Sequence, residues 1–301
     1  MSETIAKPNL KDIRKAIHVL KKIYDVVRIV DPIHNKVINI DDNNELVPEN
    51  DDMCYAFWKK NKFCDNCISL RAAIEMDTFV KLEVINKRVY MITASPVSVY
   101  NTTCCYVIEM LNDITDKSVL TSMIGKDSED FTSFIFRFND ALVRDELTML
   151  FNRRYINERL PIEIFNSIAT QKPAALIIAD IDDFKKINDN YGHVAGDILL
   201  QQFAQILNKG LSSDEDWVAR YGGEEFLFFL HDTDSVCAKE TAELIRKMIE
   251  STKFNLHDRI VNIRCSFGIA QLKDGMIMQD WISSADKKLY QAKASGGNRV
   301  C

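Results

Sequence analysis

Residues 174–185 read Ala-Ala-Leu-Ile-Ile-Ala-Asp-Ile-Asp-Asp-Phe-Lys, and this stretch decides how the second half of the chain folds. Its first six residues form an unbroken apolar run, which is the pattern of a central strand buried on both faces. Asp180 ends that strand, so its carboxylate emerges at the sheet edge where open sheets commonly bind ligands. The stretch therefore predicts a buried strand with an acidic site at its end.

A second acidic pair follows two adjacent glycines. Residues 220–226 read Arg-Tyr-Gly-Gly-Glu-Glu-Phe between two apolar runs, and a Gly-Gly pair between strands predicts a two-residue hairpin turn. A hairpin next to the 174–179 strand would bring Glu224 and Glu225 against Asp180. Because clustered carboxylates repel one another, the arrangement indicates a cation, and oxygen ligands favour Mg²⁺, with Mn²⁺ as the alternative ion. Acidic side chains on solvated surface loops are the competing interpretation.

The rest of the second half alternates helices and strands, which is typical of an α/β fold. Apolar positions at helical spacing predict helices at 197–208, 236–250 and 281–294, and a strand is predicted at Val261–Ala270. Phosphoryl-type transfer needs mainly positioning and charge neutralisation, which an acidic site at such a sheet edge supplies.

Six blocks of this half follow one another in a specific order. They read DELTMLFNRR at 145–154, DIDDFKKIND at 180–189, GHVAGD at 192–197, GGEEF at 222–226, SFGIA at 266–270 and ADKKLYQAK at 285–293. Together they resemble the GGDEF family of diguanylate cyclases, which condense two GTP into cyclic di-GMP and two diphosphates. The resemblance covers roughly 155 residues and implies a palm-like α/β (α+β) fold related to that of nucleotidyl cyclases.

The resemblance also implies which residues hold metal. Asp180, the backbone carbonyl of Ile181 and Glu224 are expected to hold Mg²⁺, and Glu225 is expected to bind a second ion. Glu224 is also the expected base for the attacking 3′-hydroxyl, and Lys185 the expected catalytic cation.

Other residues of the resemblance are expected to bind GTP. Asn188 and Asp197 would read guanine, because a carboxylate accepts both the N1–H and the N2–H₂ that adenine lacks, so we expect GTP to be preferred over ATP. The remaining expected substrate contacts are Phe184, His193, Gly222, Gly223 and Lys293. For His193 and the lysines, a turn-shaping role and a solvated surface position are the respective alternatives.

The chain departs from the family pattern at two places. Many members have an arginine four residues after the closing lysine, where this chain has Gly297, with Arg299 as the substitute for a phosphate contact. Many also carry an Arg-x-x-Asp product-inhibition motif before the glycines, where this chain has Ser213 and Asp216. Without the guanidinium, we expect weak or absent product inhibition through this site.

The first half is expected to form a smaller sensor domain. Apolar spacing predicts an amphipathic helix at 9–24 and strands within Tyr24–Ile40 and at Phe79–Ile85, Val89–Ser95 and Cys104–Leu111. This order and the ending Leu-Asn-Asp-Ile-Thr-Asp resemble a PAS sensor domain. We expect a PAS-like domain at 1–117, a helical signalling connector at 118–144 and the GGDEF domain at 145–301.

Five of the eight cysteines lie between Cys54 and Cys105. Cys64 and Cys67 have the spacing with which two thiolates grip one metal, Cys54 offers a third ligand, and Cys104 or Cys105 a fourth. Zinc, an iron–sulfur cluster and redox-active thiols all fit this pattern, and so does a structural role as small reduced residues.

Charge and hydropathy limit the partners. The net charge is −6 with both signs interspersed, which argues against non-specific nucleic-acid binding. No apolar run approaches the ~18–20 residues that cross a bilayer, and the N-terminus has no basic region followed by an apolar stretch. These observations predict a cytoplasmic protein without membrane contact.

The product of the family sets the expected assembly. Cyclic di-GMP has two identical halves, so two GTP-loaded domains must face each other, which predicts a homodimer formed through the sensor domain and the connector helix. Two other functions stay open. One is a GTP-binding regulatory module without turnover, and the other is a cyclase that makes a mixed or linear nucleotide.

Overall fold

The computed structural model of the chain describes residues 9–86, 88–99, 105–115, 128–256 and 259–301. The chain divides into two compact units, Met1–Leu142 and Val143–Cys301. Each unit has its own sheet and its own apolar core. The expected domain boundaries at 117 and 144 stay predictions, and residues 118–127 of the expected connector lie outside the described residues.

The first unit is built on a six-stranded antiparallel sheet with the strand order β3-β2-β1-β6-β5-β4. Its elements are α1 (Leu10–Leu20), β1 (Val26–Asp31), β2 (Lys36–Ile40), β3 (Leu46–Met53), a 3₁₀ turn (Ala56–Trp58), α2 (Ile68–Glu75), β4 (Phe79–Ile85), β5 (Arg88–Ser98), β6 (Cys105–Asp113) and α3 (Ser128–Val143).

Apolar side chains pack in separate clusters in this unit. Ile13 of α1 packs with Ile29 and Ile38 in one cluster. Trp58 and Ile68 form another cluster with apolar residues of the central strands. Since successive residues of a strand point to opposite faces, clusters on both sides of the sheet are expected.

The sequence predicted most of these elements but not all. The helix predicted at 9–24 ends at Leu20, and Cys104 lies outside the described residues. Strand β3 was not predicted because its sequence is mostly polar and contains Pro48, which an edge strand tolerates. Among the described residues, no helix is both long and apolar enough to span a bilayer.

The second unit is built on a four-stranded antiparallel sheet with the order β12-β7-β9-β8. Its elements are α4 (Arg153–Thr170), β7 (Ala174–Ile181), α5 (Phe184–Tyr191), α6 (His193–Lys209), β8 (Trp217–Arg220), β9 (Glu225–His231), α7 (Ser235–Ser251), β10 (Phe254–Leu256), β11 (Arg259–Val261), β12 (Cys265–Gln271) and α8 (Met278–Ala294). The α/β fold class is confirmed.

Strand β7 is the centre of this unit. All eight of its residues are buried, as the apolar run predicted. The strand predicted at Val261–Ala270 is instead two strands, because β11 pairs with β10 in a separate small sheet and only β12 pairs with β7. The core of the unit therefore forms around the strand that carries Asp180 near its end.

Helix α8 lies directly against β12 at a glycine. A Cβ atom on Gly268 would lie 2.2 Å from the Ala285 carbonyl oxygen and 2.2 Å from the Leu289 nitrogen. Trp281 of the same helix is fully buried and donates its indole N–H to the Ala270 carbonyl at 2.8 Å. This close approach fixes the helix that carries Lys293.

We predict that Gly268→Ala destabilises the second unit. The added methyl group meets helix backbone that cannot move without displacing α8, so the free energy of unfolding should fall by about 2 kcal/mol or more. Urea unfolding of the full chain measures this loss. Gly223→Ala is the matched control for stability because its Cβ meets nothing within 4 Å, and equal losses in both variants would contradict the prediction.

Candidate functional site

The sheet register brings the two acidic stretches together. Asp180 of β7 pairs directly with Glu225 of β9, and on its other side with Ser266 of β12. Directly opposed residues of antiparallel strands project from the same face of a sheet. The carboxylates of Asp180 and Glu225 therefore share one face, and Glu224 precedes β9 by one residue.

Asp180 is a buried carboxylate with one satisfied oxygen. Its Oδ2 lies 2.6 Å from Nζ of Lys293, whereas its Oδ1 is buried without a hydrogen-bond partner. Burial raises the pKa of Asp180 to about 6, and the charges of Glu224 and Glu225 add to this rise while Lys293 opposes it. A buried carboxylate with a raised pKa and one unpartnered oxygen has the properties of a group that can bind a cation.

The acidic residues suit a divalent ion whose coordination shell also includes oxygens that the protein does not supply. Within the described part of the chain, no three His, Cys, Asp or Glu side chains are arranged to enclose a metal. Mg²⁺ does not need such an enclosure, since it is commonly held by one or two carboxylates together with substrate phosphates and water. The unpartnered Oδ1 of Asp180, with Glu224 and Glu225 acting on it, suits that kind of site.

The turn that carries Glu224 is held by Arg220. The guanidinium donates to the carbonyl oxygens of Gly222 and Gly223 at 2.8–3.2 Å, and its Nη1 lies 3.1 Å from an oxygen of Asp145. Against the opposing effect of burial, hydrogen bonds from Thr148 and the charge of Arg220 hold the pKa of Asp145 below its usual value.

The prediction of a two-residue turn was wrong. Four residues, 221–224, separate β8 from β9, and neither glycine adopts the positive φ that such a turn requires. The two backbone N–H groups of Tyr221 and Gly222 instead both donate to the Glu225 carbonyl oxygen, at 2.8 and 3.2 Å. A wider loop leaves its carbonyls free for Arg220, a residue whose role the sequence analysis missed.

The predicted guanine-reading residues lie around the start of α6. Gly192 turns the chain with a φ of 83° between α5 and α6, and its N–H donates to the Asn188 carbonyl at 2.8 Å. A Cβ on Gly196 would lie 2.0 Å from Oδ1 of Asn188, so the amide rests against the helix backbone next to Asp197. Asp197 and His193 are exposed on this surface.

Two further predicted residues have contrasting positions. Phe184 is buried in the core of the second unit, so any ligand contact it makes would come from its backbone. Lys185 is exposed, next to the loop that follows Asp180. Their predicted roles stay predictions.

A comparison with protein-family models decides the family. Residues 142–299, just over half of the chain, match the model described as diguanylate cyclase, GGDEF domain. The chain belongs to the GGDEF family. Its second unit is therefore a GGDEF domain, and within that domain Asp180 pairs in register with Glu225.

Curated relatives match the GGDEF domain only. Diguanylate cyclase A of Treponema denticola is 40% identical over 127 residues, which is 42% of this chain and 34% of the relative. Response regulator PleD of Caulobacter vibrioides is 38% identical over 164 residues, which is 54% of this chain and 36% of that protein. The chain thus spans about a third of the length of these relatives.

Solved structures share the fold. The GGDEF domain of DgcB from Caulobacter crescentus, solved in complex with c-di-GMP, is 30% identical with a TM-score of 0.51, covering 52% of this chain and 94% of that one. The diguanylate cyclase SiaD of Pseudomonas aeruginosa, solved with its activator SiaC, is 29% identical with a TM-score of 0.52, covering 61% and 70%.

The stretch that replaces the product-inhibition motif has a structural task. Asp216 accepts a hydrogen bond from the backbone N–H of His231 at 2.8 Å, and the His231 ring lies 3.1 Å from Glu215. The carboxylate therefore fastens the end of β9 in this GGDEF domain. Position 213 is a serine where many family members have an arginine, so weak product inhibition through this stretch stays a prediction.

The thiols of Cys54, Cys64 and Cys67 are half-buried and lie near other ionisable groups. Burial raises the pKa of Cys54 far above its usual value, and the charges of Cys67, Glu109 and Cys64 add to that effect. Burial also raises the pKa of Cys67 to about 11, with Cys64 as the largest charged contributor. The thiols of Cys54, Cys64 and Cys67 are thus electrostatic neighbours, although no three His, Cys, Asp or Glu side chains among the described residues are arranged to hold a metal.

We predict that Arg220→Leu loosens the turn of the GGDEF domain. Removing the guanidinium leaves the carbonyls of Gly222 and Gly223 without this donor and Asp145 without its cationic partner, so the free energy of unfolding should fall by about 2 kcal/mol. Faster amide exchange at 222–225 should accompany that loss. Arg154→Leu is the control, since Arg154 forms an i,i+4 pair with Glu158 on the surface of α4, and an Arg220 variant as stable as this control would contradict the assignment.

Proposed function

We propose that the chain is a diguanylate cyclase that converts two GTP into cyclic di-GMP and two diphosphates. The observation that carries this proposal is the buried Asp180 carboxylate, with one unpartnered oxygen, paired in register with Glu225 in a GGDEF domain. The named activities of relatives that match this domain support it.

The metal ligands would be Asp180, the Ile181 carbonyl and Glu224, with Glu225 toward a second ion. Bound Mg²⁺ supplies charge neutralisation at the triphosphate and lowers the pKa of the attacking hydroxyl. Asp180 suits this role because its second oxygen is free and its burial makes an uncompensated charge costly.

The other site residues would accept a proton, neutralise phosphate charge and bind the guanine base. Glu224 would take the proton of the 3′-hydroxyl, and Lys293 and Lys185 would neutralise phosphate oxygens. Lys293 already lies 2.6 Å from Asp180, which places its ammonium at the acidic cluster. The Asp197 carboxylate would accept hydrogen bonds from the N1–H and N2–H₂ of guanine, and the Asn188 amide would donate to the guanine edge, which favours GTP over ATP.

Synthesis of a two-fold product would need two GGDEF domains face to face. We therefore propose a homodimer formed through the N-terminal unit and the connector. Phe134 and Phe138 of α3 support this assignment, because both are about half exposed and their rings stack on each other at 6.2 Å between centroids. Exposed aromatic pairs on one helix face are typical of an interface.

We further propose that the first unit is a PAS-like sensor that controls the cyclase. The loop between Cys64 and Cys67 contacts helix α3 directly, since the Asn66 amide donates to Oδ1 of Asn139 at 3.2 Å. Asn139 in turn donates to the Leu82 carbonyl at 2.9 Å. Helix α3 ends at Val143, where the GGDEF unit begins, so this contact links the thiol loop to the connector.

The cellular location of the protein and the signal that controls it are also part of what we propose. We propose a cytoplasmic protein whose thiols at Cys54, Cys64 and Cys67 act as the input, through zinc, an iron–sulfur cluster or redox chemistry. A GTP-binding module without turnover is the second candidate function, favoured by Gly297 at the place of a family arginine.

Product chromatography after incubation of the full chain with GTP and Mg²⁺ tests the enzyme assignment. We expect cyclic di-GMP from the wild type and a loss of at least about 100-fold in Glu224→Gln, the size typical of a missing general base. Glu240→Gln, an exposed change on α7, should keep wild-type turnover. Tight GTP binding without product would instead support the regulatory module, and a product containing adenosine when ATP is added would refute the base preference.

Regulation through Asn139 has its own test. We expect Asn139→Ala to change kcat of the full chain by about fivefold, the equivalent of one part-buried hydrogen bond, while the KM for GTP stays unchanged. Asp140→Ala, on the exposed side of the same helix, is the control. Equal kcat values in the wild type and both variants would contradict the proposed coupling.

A further inference from the structure

Asp182 follows Asp180 by two residues, yet both of its oxygens already accept hydrogen bonds from the protein. Its Oδ1 accepts from the Ser266 hydroxyl at 2.7 Å, and its Oδ2 accepts from the backbone N–H of Asn298 at 2.7 Å. Its own N–H donates to the Arg264 carbonyl at 2.9 Å. The side chain thus joins three separate segments of the GGDEF unit.

The segment that Asp182 holds is the turn that ends helix α8. The N–H groups of Gly296 and Gly297 return to the carbonyls of Lys293 and Ala292, at 3.0 and 3.1 Å. Gly297 has a φ of 71°, and a Cβ atom there would lie 2.9 Å from Oδ2 of Asp182. The carboxylate therefore packs against the glycine backbone as well as accepting the following N–H.

The residues after this turn are fastened to the sheet. The Asn298 side chain donates to Glu250 at 2.7 Å and accepts from Arg246 at 3.0 Å, both on α7. Phe267 of β12 then donates its N–H to the Arg299 carbonyl at 2.9 Å and accepts from the N–H of Cys301 at 3.0 Å. Asp182 therefore contacts the C-terminal tail, residues 295–301, between the end of α8 and the residues that pair with β12.

These contacts close a ring that includes Asp180 of the acidic cluster. From Asp180 the chain runs two residues to Asp182, crosses the hydrogen bond to Asn298, and returns five residues along the chain to Lys293, whose Nζ lies 2.6 Å from Asp180. Lys293 is near the end of its helix, so the position of that end decides where its ammonium lies.

We propose that Asp182 is a positioning residue, which holds the end of α8 so that Lys293 stays at the phosphate side of the acidic cluster. The inference rests on the proposed function, since it gives Lys293 a GTP phosphate to contact. It matters more in this chain because Gly297 stands where many family members supply an arginine. The competing assignment is that Asp182 binds the divalent ion itself.

Asp182→Asn in the full chain separates these roles. The amide keeps the size of the carboxylate but cannot accept at both ends, so either Ser266 or Asn298 loses its acceptor. We expect the affinity for a non-hydrolysable GTP analogue, measured by calorimetry with Mg²⁺, to fall roughly tenfold, as for one charge-assisted hydrogen bond. The Mg²⁺ concentration for half-maximal product formation should stay unchanged, and amide exchange at 295–301 should accelerate.

The control is the neighbouring residue. Asp183→Asn removes the same charge from an exposed carboxylate, whose ion pair among the described residues is with exposed Lys186, and should leave GTP affinity and amide exchange at 295–301 as in the wild type. The double variant Lys293→Met with Asp182→Asn should bind GTP as weakly as Lys293→Met alone. If Asp182 acts by positioning Lys293, its replacement has no further effect once the Lys293 ammonium is gone.

Several results would overturn the inference. A shift in the Mg²⁺ requirement would assign Asp182 to the metal, and an equal loss of GTP affinity with and without Lys293 would make it an independent contact. Unchanged exchange at 295–301 would show that the carboxylate does not hold the tail. A wild type that binds the analogue without making product would refute only the proposed turnover, whereas one that binds no GTP would refute both proposals.

Discussion

A carboxylate ends a strand that is otherwise wholly apolar, and the GGDEF unit is arranged around the charge of that carboxylate. Burying β7 in the centre of the sheet stabilises the unit, but it also carries Asp180 into a site where ionisation is costly. Lys293 compensates one oxygen and leaves the other without a partner. That remaining oxygen, beside two more acidic residues, is the physical basis for proposing a divalent ion and a phosphate substrate.

Distant parts of the chain converge on this carboxylate, and each is held by a small number of polar contacts. Arg220 grips the loop that presents Glu224, and Asp145 orients Arg220. Helix α8 brings Lys293, with its position set by the close approach at Gly268. The geometry of the acidic cluster therefore depends on contacts between distant segments as well as on the motif at 222–226.

The sequence predicted what depends on local pattern. The apolar run at 174–179 predicted β7 and its burial, and the paired acidic stretches predicted that Asp180 and the Glu225 strand would be neighbours. Contacts between distant residues left no periodic signal, so the pairing of Arg220 with Asp145 and of Asp182 with Asn298 were missed, at separations of 75 and 116 residues. The predicted type of the turn at Gly222 was wrong, because hydrogen bonds from the Arg220 guanidinium, and not the conformation of the glycines, shape this loop.

Anomalous diffraction from crystals of the full chain grown with Mn²⁺ and a non-hydrolysable GTP analogue would show whether a divalent ion binds at Asp180. We expect a manganese peak bonded to the free oxygen of Asp180 and to Glu224, with triphosphate oxygens completing its coordination. A nucleotide bound without any ion at Asp180, or a peak held by other residues while Asp180 keeps only Lys293, would contradict this expectation.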